Sequence, residues 1–211
     1  MIFWFFCIKA KERTITWVKP KVRTQFGSSQ KNVPSLRQRT IKTKKIMYYT
    51  DFIRQYKPLA DKAGALYKLN PVIILAQAAI ESGWGESTLA TDYHNFFGLT
   101  AYGARNTLWN GASIELGKHS LKFRVYASPD DSFLDYARLI REVYPGAAEV
   151  SYDPAAFALA ISYSRYISEV NGDNREEYRN LIVVISDKIN KFLKKGPELF
   201  QESSSSNPLK S

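Results

Sequence analysis

Gln77 and Glu81 are the only polar side chains in an otherwise apolar stretch, PVIILAQAAIE at 71–81. Their spacing of four puts them on one face of a helix. Apolar surroundings strip water from a carboxylate and raise its pKa, and the C-terminal end of a helix dipole disfavours negative charge. Both effects favour a carboxylic acid that stays protonated near neutral pH. A general acid for glycoside cleavage needs that property. The same glutamate would also serve as an arginine partner or as the cap of a neighbouring loop, and the pattern alone leaves those readings open.

Other chemistries are poorly supplied. The single cysteine, Cys7, excludes an internal disulfide framework and a cysteine-rich zinc site. His94 and His119 are too far apart for a helical HExxH pair. No cofactor and no metal are expected.

The elements that would position Glu81 are mostly helical. Phe52, Ile53, Tyr56, Leu59, Ala60, Ala63, Leu66 and Tyr67 recur at helical spacing, with Pro58 marking a start or a kink. Asn70-Pro71 reads as a cap followed by proline at the first helical position, and Gly83 and Gly85 stop the apolar helix over 71–81. Ser128-Pro129-Asp130-Asp131 opens a helix that runs to about Val143, with Asp131 as part of its cap. Asp153-Pro154 opens another. Asp173 and Glu176 bracket the start of a last long helix, striped by Tyr178, Leu181, Ile182, Ile185, Ile189 and Phe192. Between them, Ile114 and Leu116 alternate with Ser113 and Glu115, then Leu121, Phe123 and Val125 alternate with Lys122, Arg124 and Tyr126. Period two on both sides of Gly117-Lys118-His119 predicts a β-hairpin.

The chain of 211 residues carries a net charge of +10, with 45% hydrophobic and 24% charged residues. Residues 1–47 hold 12 basic residues against Glu12, so the remaining 18 basic and 19 acidic residues nearly cancel. A nucleic-acid partner is therefore not expected for the folded domain, which has no basic face for phosphates. The first eight residues, MIFWFFCI, are apolar, but the charges follow them and no small-residue cleavage site is legible, so they do not read as an export signal. No apolar run reaches the ~18 residues of a transmembrane helix. The expected division is a basic disordered arm over 1–47, a folded domain over 48–195 and a low-complexity tail over 196–211. Met47 reads as the natural start of the folded part.

AQAAIESGWGES at 76–87, followed by NFFGLTA at 95–101, resembles the signature of the glucosaminidase domains of glycoside hydrolase family 73. The likeness continues through Trp109-Asn110-Gly111, FRVYASPDDSFLDYARLI at 123–140 and YSRYISEVNGDNREEY at 163–178. The resemblance implies an α+β, mainly α, fold with a lysozyme-like helical body and a small β-hairpin lobe. It implies an endo-β-N-acetylglucosaminidase that cleaves the β-1,4 bond after N-acetylglucosamine in peptidoglycan, in the bacterial cell envelope. The family's catalytic acid falls on Glu81. Its members carry a second acid on the β-lobe, for which Glu115 is the candidate, being the only acid between Asp92 and Asp130. Glu115 would equally suit a cross-strand ion pair with Lys122 or Arg124. Tyr166 matches a tyrosine that lines the family's cleft. Asn95, Phe97 and Trp84 lie in the motif strings as candidate substrate contacts, although core packing suits Phe97 and Trp84 as well.

Three other functions compete. A muramidase or lytic transglycosylase would cut the same polymer on a related fold. A non-catalytic wall-binding module would not need Glu81 in so apolar a setting. A nucleic-acid binder would have to rely on residues 1–47. The partners expected are peptidoglycan glycan strands, bound by a monomer.

Overall fold

A computed structural model describes residues 36–116, 121–167 and 174–195, with side chains from Tyr49 onward. The apolar run 1–8, the Gly117-Lys118-His119 turn, Asp173 and the tail 196–211 lie outside the described residues.

Helix α1 spans Leu36–Tyr67, with Pro58 inside it, so it crosses the boundary expected at residue 47. Residues 36–47 contain no glycine or proline and several Arg, Lys and Gln. Once the downstream turns are fixed, each further residue of such a sequence adds a hydrogen bond at little cost. Among the residues whose side chains are described, from Tyr49 onward, α1 buries Phe52, Ile53, Ala60 and Ala63. A chain beginning at Met47 is therefore expected to fold, with a melting temperature close to that of the full chain. Loss of soluble protein would make the preceding segment part of the folded unit.

Helix α2, Pro71–Ser82, is capped by Asn70, whose Oδ1 accepts from Val72 N at 2.9 Å, and ends at Gly83 with φ 59°. Ile73, Ile74, Leu75, Ala76, Ala78 and Ala79 are all buried. A helix apolar on every face needs neighbours on every face. Helix α1 covers one side and α7, Arg175–Lys194, another. The turn between α1 and α2 depends on Gly64, where a Cβ would sit 2.6 Å from the Leu69 carbonyl oxygen. Leu69 N donates to the Gly64 carbonyl at 3.0 Å, closing that turn.

Helix α4, Pro129–Val143, packs on α1, and α6, Pro154–Ser162, packs on α7. Two short helices, α3 over Thr88–Tyr93 and α5 over Pro145–Glu149, are too brief to show a period in the sequence. The cap of α7 is Asn174, one residue beyond Asp173.

Strands β1, Ser113–Leu116, and β2, Leu121–Arg124, pair antiparallel, with Ile114 opposite Phe123 and Glu115 opposite Lys122. The segment after the NFFG motif adds itself to the free edge of β2. Arg124 N donates to the Leu99 carbonyl at 2.9 Å and Ala101 N to the Lys122 carbonyl at 2.8 Å. The result is the expected mainly helical body with a small hairpin lobe.

Candidate active site

Glu81 occupies the last turn of α2 and is 6% exposed. Beyond it, Gly83, Trp84 and Gly85 take φ of 59°, 63° and 83°. Three successive left-handed residues fold the chain away from the helix end. Ser82 locks that turn, donating to the Ala78 carbonyl at 2.5 Å and accepting from Gly85 N at 2.7 Å. Glycine tolerates this backbone; tryptophan does so at a cost. Ring contacts of Trp84 with Tyr49 at 4.4 Å and Phe52 at 5.5 Å offset it.

Tyr178, reaching in from α7, joins the two polar side chains of α2. Its hydroxyl accepts from Gln77 Nε2 and donates to Glu81 Oε1, both at 2.7 Å. Burial first, then the Glu81 charge and the neighbouring Tyr166 and Tyr136, push the Tyr178 phenol well above its ordinary pKa. It therefore keeps its proton and remains a donor to Glu81. Burial and the Glu81 charge do the same to Tyr136, which stacks on Phe97 with centroids 3.9 Å apart. In the sequence Tyr178 stands in an apolar stripe and closes the 163–178 string, and neither pattern points to Glu81. Its role follows from α7 lying against the Gln77–Glu81 face.

Tyr166 is 1% exposed, edge-on to Tyr144 at 5.6 Å and 6.4 Å from the Tyr178 ring. Phe97 is wholly buried. Asn95 is buried with its amide committed. Nδ2 donates to the Leu99 and Arg124 carbonyls, each at 2.9 Å, and Oδ1 accepts from Leu99 N at 3.0 Å. Asn95 thus fastens the NFFG turn to β2. Glu81, Tyr166 and Phe97 belong to one aromatic neighbourhood, while Asn95 and Trp84 hold the turns that frame it. Glu115 lies on the exposed parity of β1, across from Lys122, and makes no ion pair among the described residues.

Arg124 turns the other way. Its guanidinium pairs with the fully buried Asp135 of α4, donates to the Thr100 carbonyl at 3.0 Å and the Tyr102 carbonyl at 2.7 Å, and lies 4.3 Å from the Trp109 ring. Asp135 also accepts from Tyr126 at 2.8 Å, Asn106 at 3.1 Å and Arg138 at 2.8 Å. Burial pushes the Asp135 carboxyl up, but the Arg124 and Arg138 charges and the hydrogen bonds prevail and hold it below the usual carboxylate range. The signal for this cluster in sequence is a single acid inside FLDYA, among positions that all face the core.

Among the described residues, no group of three His, Cys, Asp or Glu could hold a metal ion, and no helix is long and apolar enough to cross a membrane.

A central apolar helix ending in a buried glutamate, wrapped by helices and joined to a small hairpin lobe, defines a lysozyme-like glycoside hydrolase fold. Residues 57–191 match the glucosaminidase family model, described as mannosyl-glycoprotein endo-β-N-acetylglucosaminidase, and the chain belongs to that family. It is 30% identical over 135 residues to the peptidoglycan hydrolase FlgJ of Pseudomonas aeruginosa, covering 56% of this chain and 33% of that protein. It is 37% identical over 90 residues to a probable N-acetylmuramidase of Lactococcus lactis subsp. lactis, covering 40% and 20%. Its fold is similar to the crystal structure of a peptidoglycan hydrolase from Sphingomonas sp. A1, with TM-score 0.53 and 25% identity, covering 76% of this chain and 99% of the other. The chain spans less than half the length of the first curated relatives it matches.

Proposed function

We propose that the chain is a peptidoglycan hydrolase of the bacterial cell envelope, an endo-β-N-acetylglucosaminidase with Glu81 as general acid. The observation that carries the assignment is the buried Gln77–Tyr178–Glu81 chain of hydrogen bonds. Glu81 gives its proton to the glycosidic oxygen as the bond to the anomeric carbon breaks. The carboxylate left behind is held by the Tyr178 hydroxyl, and a charge-assisted bond of that kind strengthens as the charge forms. The family match over 57–191 falls inside 48–195, which supports that span as the catalytic unit.

A muramidase reading has a specific observation behind it, the 37% identity to a probable N-acetylmuramidase. Mass spectrometry of fragments released from purified peptidoglycan separates the two readings. N-acetylglucosamine at the new reducing end supports the proposal, whereas N-acetylmuramic acid there overturns it. A 1,6-anhydro ring would mark a lytic transglycosylase.

Glu115 is the proposed second carboxylate, a base for water or a stabiliser of oxocarbenium charge. Its exposed place on the hairpin suits a lobe that closes over substrate. Glu115→Gln is then expected to lower kcat strongly, with little change in melting temperature. If the side chain only faces Lys122 across the strand, the pair is worth ~0–1 kcal/mol and neither quantity moves. Full activity in the variant would pass the second role to the substrate's own acetamido group or to another acid.

A further inference from the structure

A groove of about 470 Å³ lies beside the hairpin lobe, between the loop at 102–106 and the C-terminal half of α4. Arg105, Arg124 and Arg138 contribute to its lining, together with the half-exposed Tyr102 and Val143. Two of the three guanidinium groups are already matched: Arg124 by Asp135, and Arg138 by Asp135 and Glu142. Arg105 is exposed and has no carboxylate partner among the described residues. Its stem lies across Gly111. A Cβ there would come within 3.1 Å of both Arg105 Cγ and Cδ, and Gly111 takes φ 97°. Tyr102, Arg124 and Leu139 also line a small inner hollow closed by Tyr144 and Tyr166. Tyr166 is the neighbour of Tyr178, which holds Glu81. The groove is thus connected to the proposed acid through two aromatic rings.

We propose that this groove binds the short acidic peptide branch of the glycan strand, with Arg105 taking a branch carboxylate and Tyr102 and Val143 supporting its apolar side chains. The inference rests on the reading of peptidoglycan as substrate, a polymer whose alternate sugars carry peptide branches with free carboxylates. Local charge sets the sign, since three guanidinium groups face two carboxylates and the excess is cationic. A guanidinium fork matches a carboxylate in two parallel hydrogen bonds. A stem already laid against Gly111 has less freedom to lose when the anion arrives than one in open solvent. The exposed ring of Tyr102 supplies apolar area at low entropic cost.

The test compares the full chain with Arg105→Ala on two polymers, peptide-bearing glycan strands and strands stripped of their branches by an amidase. The kcat/KM ratio between bearing and stripped strands is expected to fall about tenfold in Arg105→Ala, on the scale of one charge-assisted contact. Arg105→Lys should restore part of it, and melting temperature should hold in both variants. An equal loss on both polymers, or no loss on either, overturns the proposal. Titration of the free branch peptide reads the groove without any cleavage. Binding by wild type that weakens about tenfold in Arg105→Ala supports the site, and equal binding overturns it. Wild type that binds the peptide yet cuts neither polymer would sink the substrate reading and leave the groove standing.

Discussion

Glu81→Gln is expected to reduce turnover on peptidoglycan by roughly 10²–10⁴-fold, the usual contribution of a general acid. The amide matches the carboxyl in size and its oxygen can still accept from Tyr178. It has no proton to give to the leaving oxygen. The fold should survive, because the Gln77–Tyr178 hydrogen bond remains and the new side chain is neutral in a buried site. Melting temperature should therefore stay close to wild type while turnover collapses. A structural glutamate would give the opposite pattern, with stability and activity falling together. Wild-type turnover in a well-folded Glu81→Gln protein would remove Glu81 from the mechanism.

The helices that frame this site were legible because their signals are local. Asn70-Pro71 and Gly83 delimit α2, Ser128 and Pro129 open α4, and Asp153-Pro154 opens α6, each through side-chain or backbone effects within a few residues. The hairpin was legible for the same reason, since alternation on both sides of a short turn marks two strands, but it left Lys122 and Arg124 both open as partners of Glu115, and the register puts Lys122 there. The polarity contrast inside 71–81 marks the candidate acid. Nothing local marks Tyr178, because its value depends on a residue 97 positions away in the chain. Helix α1 continues upstream to Leu36, through a charged segment without apolar rhythm that carries no period to read. Arg124 is the instructive error of parity. It alternates like an exposed strand residue, yet it is 8% exposed, because Asp135 of α4, the Thr100 and Tyr102 carbonyls and the Trp109 ring surround its guanidinium. Sequence alternation predicts two faces of a strand; it does not say that tertiary structure leaves one of them in water.

Asp135→Asn is expected to cost 3–5 kcal/mol of stability, roughly the loss seen when one partner of a buried ion pair is removed. The amide keeps a hydrogen-bonding oxygen but leaves the 10%-exposed Arg124 guanidinium without its counter-charge. Arg138 and the Asn106 and Tyr126 hydrogen bonds converge on the same carboxylate, so the damage reaches β2, α4 and the loop that forms the groove. The pH dependence follows from the direction of the Asp135 shift. Its folded pKa lies below the ordinary carboxylate value. The stabilisation is then complete above the unfolded pKa, near 3.9, and is lost as pH falls through the lower folded value. Urea unfolding of wild type should therefore show stability dropping with acid below about pH 4. In Asp135→Asn that part of the acid sensitivity should vanish, while stability at neutral pH starts several kcal/mol lower. An unfolding free energy at pH 7 within ~1 kcal/mol of wild type would mean that the Thr100 and Tyr102 carbonyls alone suffice to hold Arg124. The carboxylate would then be no more than an adjunct to the hydrogen bonds that dock the groove loop against β2.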